Sequence, residues 1–197
     1  MKTKIDMLRQ LDRARYTSGQ KALTMTQSYE LLNNITDLEE KTLIALALTT
    51  GIRRSDIVAI KTADVNLKKG VILFYESKKK RIKKVPLDKT VINLLSMWMR
   101  INKSKWLFPP KFKLSPNHLA SKTAYNIFQR ACEKTGISTP RPFHALRATC
   151  VKLCQKKGWS IAKTAELLGD TVNVVEKHYA TPSDEEMASE MEEKPLL

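Results

Sequence analysis

The chain has 197 residues, enough for one domain with a real core, and its 42% hydrophobic content argues against general disorder. Thirty-five Lys and Arg against twenty Asp and Glu give a net charge of +15. The excess is uneven: Ser183 onward holds six acidic residues and one Lys, which leaves +20 on residues 1–182 and points to a polyanionic partner, most often nucleic acid.

A basic protein with no such partner stays open on charge alone. No apolar run approaches the roughly 20 residues of a membrane span. The opening MKTKIDMLRQLDRAR has no apolar signal-peptide core. The expectation is an intracellular protein without a membrane partner.

Residues 1–21 read as a basic arm or linker. Thr24 and Gln27 form a T-x-x-Q capping box that opens a helix through Tyr29, Leu31 and Leu32. Asp37 caps the next helix, whose LIALALTT run stops at Gly51. A short helix is expected from about Ser55 to Lys61. VILFYE and IKKVPL are β-branched and aromatic and predict a two-strand hairpin or the edge of a small sheet, and Pro86 suits an edge. Helical patterns return from Asp88 with VINLLSMWM, then HLASKTAYNIFQRACEKTG ending at Gly136. A further helix is predicted from about His144 to Lys157, another after the cap Ser160, and a last one to Tyr179. The fold class is therefore mainly α with a small antiparallel β-hairpin or sheet. The three cysteines are too few and too poorly spaced for a disulfide framework or a zinc site, and they read as buried thiols.

Four stretches are hard to explain as packing. In TTGIRRSDIVAIK, Arg53 follows the helix-ending Gly51 in a turn that can aim its side chain, and Asp56 is placed to hold the guanidinium. A bidentate Arg is a usual phosphate clamp, although a surface Arg–Asp pair in a helical turn is the more ordinary explanation of this stretch taken alone. In SKKKRIKK, six of the seven residues from Lys78 to Lys84 are basic. Such a cluster in a hairpin turn repels itself unless anions meet it, so Lys79, Lys80, Arg81, Lys83 and Lys84 are candidate DNA contacts. A solvated hairpin tip or a localisation signal is the alternative. In PRPFHALRATC, His144 and Arg147 share one face near a helix start, where the helix end adds partial positive charge and makes an anion site; a packed His at a cap is the alternative. The fourth stretch, LLGDTVNVVEKHYATP, places Tyr179 nine residues after Asp170.

Together these stretches resemble the tyrosine recombinase (phage integrase) family, from about Ala22 to Pro182. The order of TGIRRSD, ESKKKRIKKVPL, HALR, LLGD and Tyr179 carries the likeness, with a hairpin between helical segments. The resemblance implies Arg53 as the first catalytic arginine with Asp56 as its supporting acid. It further implies Lys78 as the hairpin lysine, His144 and Arg147 as the H-x-x-R pair and Tyr179 as the nucleophile. One position departs: where the family usually places His, sometimes Trp, this chain has Asp170.

The implied function is a site-specific recombinase or integrase of a virus or other mobile element that cuts and rejoins double-stranded DNA. A free Tyr has a pKa of about 10 and needs help at neutral pH. Two arginines at the scissile phosphate would lower the cost of the phenolate and stabilise charge on the non-bridging oxygens. A Lys ammonium would protonate the departing 5′-oxygen. The 3′-phosphotyrosyl product conserves the phosphodiester energy, so no nucleotide cofactor and no metal are expected. The resemblance also implies a monomer that assembles as a tetramer on DNA. It makes residues 22–182 the catalytic domain and residues 183–197 an acidic tail that docks in trans as a helix. The alternatives are a non-catalytic DNA-binding relative, a type IB topoisomerase-like enzyme, and an unrelated basic helical module.

Overall fold

The computed structural model describes residues 22–111, 117–139, 142–180, 182 and 184–195. The expected arm over residues 1–21 lies outside them. Helix α1 (Met25–Asn34) starts at the Thr24–Gln27 capping box with both reciprocal bonds made. Helix α2 (Leu38–Thr50) is capped by Asp37 and ends at Gly51, whose φ of 61° is the left-handed conformation that glycine adopts at little cost. Nine of its thirteen residues are buried, because its apolar residues run around its whole circumference. It is the central helix, packed against α4 (Lys89–Ile101) and α6 (Pro142–Lys156).

The short helix α3 is only Arg54–Ile57; residues Thr62–Asp64 follow as a 3₁₀ turn rather than continuing it. The hairpin is present as β2 (Val71–Glu76) and β3 (Arg81–Pro86), and Pro86 lies on an edge strand. A further strand, β1 (Val65–Asn66), completes an antiparallel sheet of order β1-β2-β3. Ile72 pairs with Val85, Phe74 with Lys83 and Glu76 with Arg81. Side chains alternate across a strand, so these residues line one face. Ile72, Phe74, Glu76, Lys83 and Val85 are buried there, while Leu73, Tyr75 and Ile82 on the other face are exposed.

Helix α5 (Ser121–Lys134) begins later than expected, and α6 begins earlier, at Pro142, so His144 stands within its first turn. Thr149 of α6 accepts from the Leu23 N–H at 2.8 Å, which ties the entry of the domain to its far helix. Ser160 caps α7 (Ile161–Leu168), which ends at Gly169 with φ 70°. The expected last helix is α8 (Val172–Val175), and it widens into a π turn over Glu176–Ala180 that carries Tyr179. Such turns are often found at functional positions. Helix α9 (Asp184–Glu193) forms the tail. Cys132, Cys150 and Cys154 are free thiols in buried positions, as expected. Among the described residues no helix is long and apolar enough to cross a membrane.

Candidate active site

Two chain turns and a helix converge. Arg53 leaves the turn after α2, Asp170 the turn after α7, and Arg147 rises from α6 between them. Arg147 donates through Nη1 to the Gly51 carbonyl and through Nη2 to the Leu168 carbonyl at 3.0 Å, so it stitches the ends of α2 and α7 together. The same Nη2 meets Asp170 Oδ2 at 2.5 Å. Asp170 Oδ1 accepts from Arg53 Nη2 at 2.7 Å. One carboxylate thus spans two arginines that stand far apart in the chain. Arg147 and Arg53 together hold the Asp170 carboxyl below its ordinary range although burial opposes them.

The Arg53 guanidinium is not held by Asp56 as expected. Its Nη1 donates to Glu76 Oε1 at 2.8 Å, and Glu76, 1% exposed, accepts from Arg81 Nε at 3.0 Å on its other oxygen. Burial works against charge on Glu76, but these bonds win and its carboxyl is held down. Asp56 instead accepts from Ser77 Oγ at 2.6 Å and from Ser55 at 3.1 Å, anchoring the start of the hairpin turn. Lys78 sits in that turn, Ser77–Lys79, exposed, with its charge felt at Asp170.

Tyr179 is 5% exposed. Its ring lies 5.3 Å from that of His144 and 5.9 Å from the Arg147 guanidinium carbon. Burial pushes its phenol above the ordinary tyrosine range, and Arg147 pulls the other way without prevailing. Arg53, His144, Arg147, Asp170 and Tyr179 therefore share one region, and the charge of Lys78 reaches it.

The basic hairpin divides. Lys79, Lys80 and Lys84 are exposed, with Lys80 in the left-handed conformation at φ 51° that closes the turn. Arg81 is half tethered by Glu76. Lys83 departs from the expected DNA contact: it is 6% exposed, and its ammonium donates to the Glu166 and Leu167 carbonyls at 2.6 and 2.9 Å. Strand alternation turns it inward. Glu76 is a site residue that sequence reasoning missed; its signal was a charge in the same phase as Ile72 and Phe74.

The sequence pattern described as "Phage integrase family" matches residues 21–186. The chain belongs to that family. Among curated relatives, the tyrosine recombinase XerA of Pyrococcus horikoshii is 26% identical over 152 residues, covering 76% of this chain and 52% of the relative. That of Saccharolobus solfataricus is 28% identical over 150 residues, covering 76% and 48%. The chain spans about half the length of these relatives. In three dimensions this phage integrase family member is similar to a XerA recombinase crystal structure, with TM-score 0.77 and 19% identity over 91% of this chain and 65% of the other. It is also similar to a lambda integrase dimer bound to a COC′ core site, with TM-score 0.68 and 21% identity over 84% and 48%. The fold is that of tyrosine recombinase catalytic domains, mainly helical with a small antiparallel sheet.

Proposed function

We propose that this chain is the catalytic part of a site-specific DNA recombinase that breaks and rejoins strands through Tyr179. The observation that carries this is the Asp170 carboxylate held between Arg53 and Arg147 beside the Tyr179 ring: it marks an anion position within reach of a phenol. A scissile phosphate would join or displace that carboxylate, and both arginines would face its non-bridging oxygens. Tyr179 Oη would form a bond to phosphorus as the bond to the 5′-oxygen breaks, leaving a 3′-phosphotyrosyl link. Lys78, on the exposed hairpin turn, would give the 5′-oxygen its proton. His144, whose ring lies 5.3 Å from that of the tyrosine, would receive the phenolic proton. Asp170 is too weak a base for that task while two arginines hold it down.

Double-stranded DNA is the proposed partner, met by the exposed lysines of the hairpin. Assembly as a tetramer on DNA, with α9 docking on a neighbouring copy, and origin in a virus or other mobile element complete the proposal. Relatives solved on DNA, including XerH bound to its difH substrate, support the choice of partner. The position of Asp170 favours one rival, a non-catalytic DNA-binding relative whose arginines are already neutralised. Covalent trapping on a nicked suicide duplex separates the two. The wild-type chain is expected to form a protein–DNA adduct and Tyr179→Phe to bind DNA without forming it. An adduct retained by the Phe variant removes Tyr179 from the role, and none from the wild type favours the rival.

A further inference from the structure

The hairpin lysine that faces away from solvent has partners that explain it. Lys83 shares its sheet face with Glu76 and Arg81. Its ammonium donates to the Glu166 and Leu167 carbonyls, at the end of α7. The last carbonyls of a helix lack partners within it, and a cation there also complements the helix dipole. The next carbonyl, Leu168, is taken by Arg147. Two buried cations therefore cap the helix that delivers Asp170.

Gly169 makes the approach possible. A Cβ at this position would stand 2.7 Å from both Glu76 Oε1 and Lys83 Nζ. Glu76 in turn holds the Arg53 guanidinium. The hairpin carrying Lys78, the turn carrying Asp170 and the side chain of Arg53 thus meet at one buried charge cluster. A lysine committed to two helix carbonyls is not directed at a phosphate, and burial lowers it to about 8, as for an ammonium withdrawn from water.

We propose that Lys83, with Glu76, is a positioning residue that fastens the β2–β3 hairpin to the end of α7 and so sets where Arg53 and Asp170 stand. This rests on the strand-cleavage reading above. The test compares Lys83→Met, Glu76→Gln and Gly169→Ala with the wild type. It measures single-turnover adduct formation at saturating DNA, the salt dependence of binding, and cooperative thermal unfolding to establish that each variant is folded.

Lys83→Met is expected to cleave at least tenfold more slowly at saturation while keeping the wild-type salt slope. A lost phosphate contact would reduce that slope by about 0.9. Gly169→Ala keeps every charge and is expected to show the same slow cleavage and the same slope. The Lys83→Met/Gly169→Ala double variant should be no slower than the slower single, because both break one contact. A 5′-bridging phosphorothiolate, whose sulfur leaves without a proton, should rescue Lys78→Ala but not Lys83→Met.

A reduced salt slope for Lys83→Met would return this residue to the DNA surface and overturn the proposal. So would wild-type cleavage by the folded variant, or rescue by the phosphorothiolate, which would make Lys83 the proton donor. If Lys83→Met does not fold, Glu76→Gln and Gly169→Ala decide, and wild-type cleavage by both overturns it. A wild-type chain that forms no adduct overturns the cleavage reading itself, and this proposal with it.

Discussion

Asp170 and Arg147 meet at 2.5 Å, with the second carboxylate oxygen on Arg53 at 2.7 Å, so Asp170 acts as an internal counter-ion to both arginines. Its carboxyl is held below the usual value, so its contribution to stability is present above the unfolded pKa near 4 and is lost as pH falls through the folded one. Asp170→Asn should therefore destabilise the protein at pH 7, by about 1–3 kcal/mol for bonds to charged partners. The difference from wild type should shrink as pH falls below about 4. Chemical denaturation across that range checks it. The same variant should retain much of its cleavage activity, because the phosphate itself would replace the lost anion. Abolished cleavage with intact binding would give Asp170 a proton-transfer role instead.

Arg147 and Arg53 should separate in stability while agreeing in activity. Each Ala variant should lose about 10²–10³ in cleavage rate, the usual cost of one preorganised donor to a transition-state oxyanion. Arg147→Ala also strips the Gly51 and Leu168 carbonyls of a buried partner, whereas Arg53 is 22% exposed and bonds the carboxylates of Glu76 and Asp170. Thermal melts should show Arg147→Ala clearly less stable than Arg53→Ala. Equal melting temperatures would mean that the carbonyls find other partners.

Neutralising Lys79, Lys80 and Lys84 together should flatten the dependence of DNA affinity on salt by up to about 0.9 per phosphate released on a log–log plot. Lys83→Met should leave it unchanged, because its ammonium is inside. Fluorescence anisotropy with a duplex at several salt concentrations measures both. An unchanged slope for the triple variant would make the exposed hairpin a solvated tip.

Lys83 also predicts an alkaline signature. Burial opposes its charge, Glu76 and Glu166 favour it, and Arg81 and Arg147 oppose it; the result is about 8 against 10.5 for a free lysine. Between those values the unfolded chain binds more protons than the folded one, so this group makes stability rise with pH across that window. In urea titrations from pH 7 to 10.5, wild type should gain stability relative to Lys83→Met. A constant difference would show that the ammonium is not desolvated.

Much of this was legible from residue order. The Thr24–Gln27 box, the Asp37 and Ser160 caps and the terminal Gly51 and Gly169 are local signals, because the orphan groups of a helix end are satisfied by residues a few positions away. The VILFYE and IKKVPL runs announced the hairpin for the same reason: strand character resides in neighbouring side chains. The brief strand β1 went unseen because its two residues owe their extended form to pairing with β2.

What residue order determined, through the family resemblance it carries, was a set of candidate chemical groups: two arginines, a hairpin lysine, a histidine, an aspartate and a tyrosine. The tertiary structure alone decided which groups spend their charge on one another. Asp56 lies three residues from Arg53 yet bonds Ser77, while Glu76 and Asp170, from distant turns, take the guanidinium. Six basic residues in seven looked alike, but pairing with Phe74 turned Lys83 inward and left Ile82 67% exposed. The physical reason is that a charge chooses partners by distance and desolvation, and both are set by how the elements pack rather than by their order along the chain.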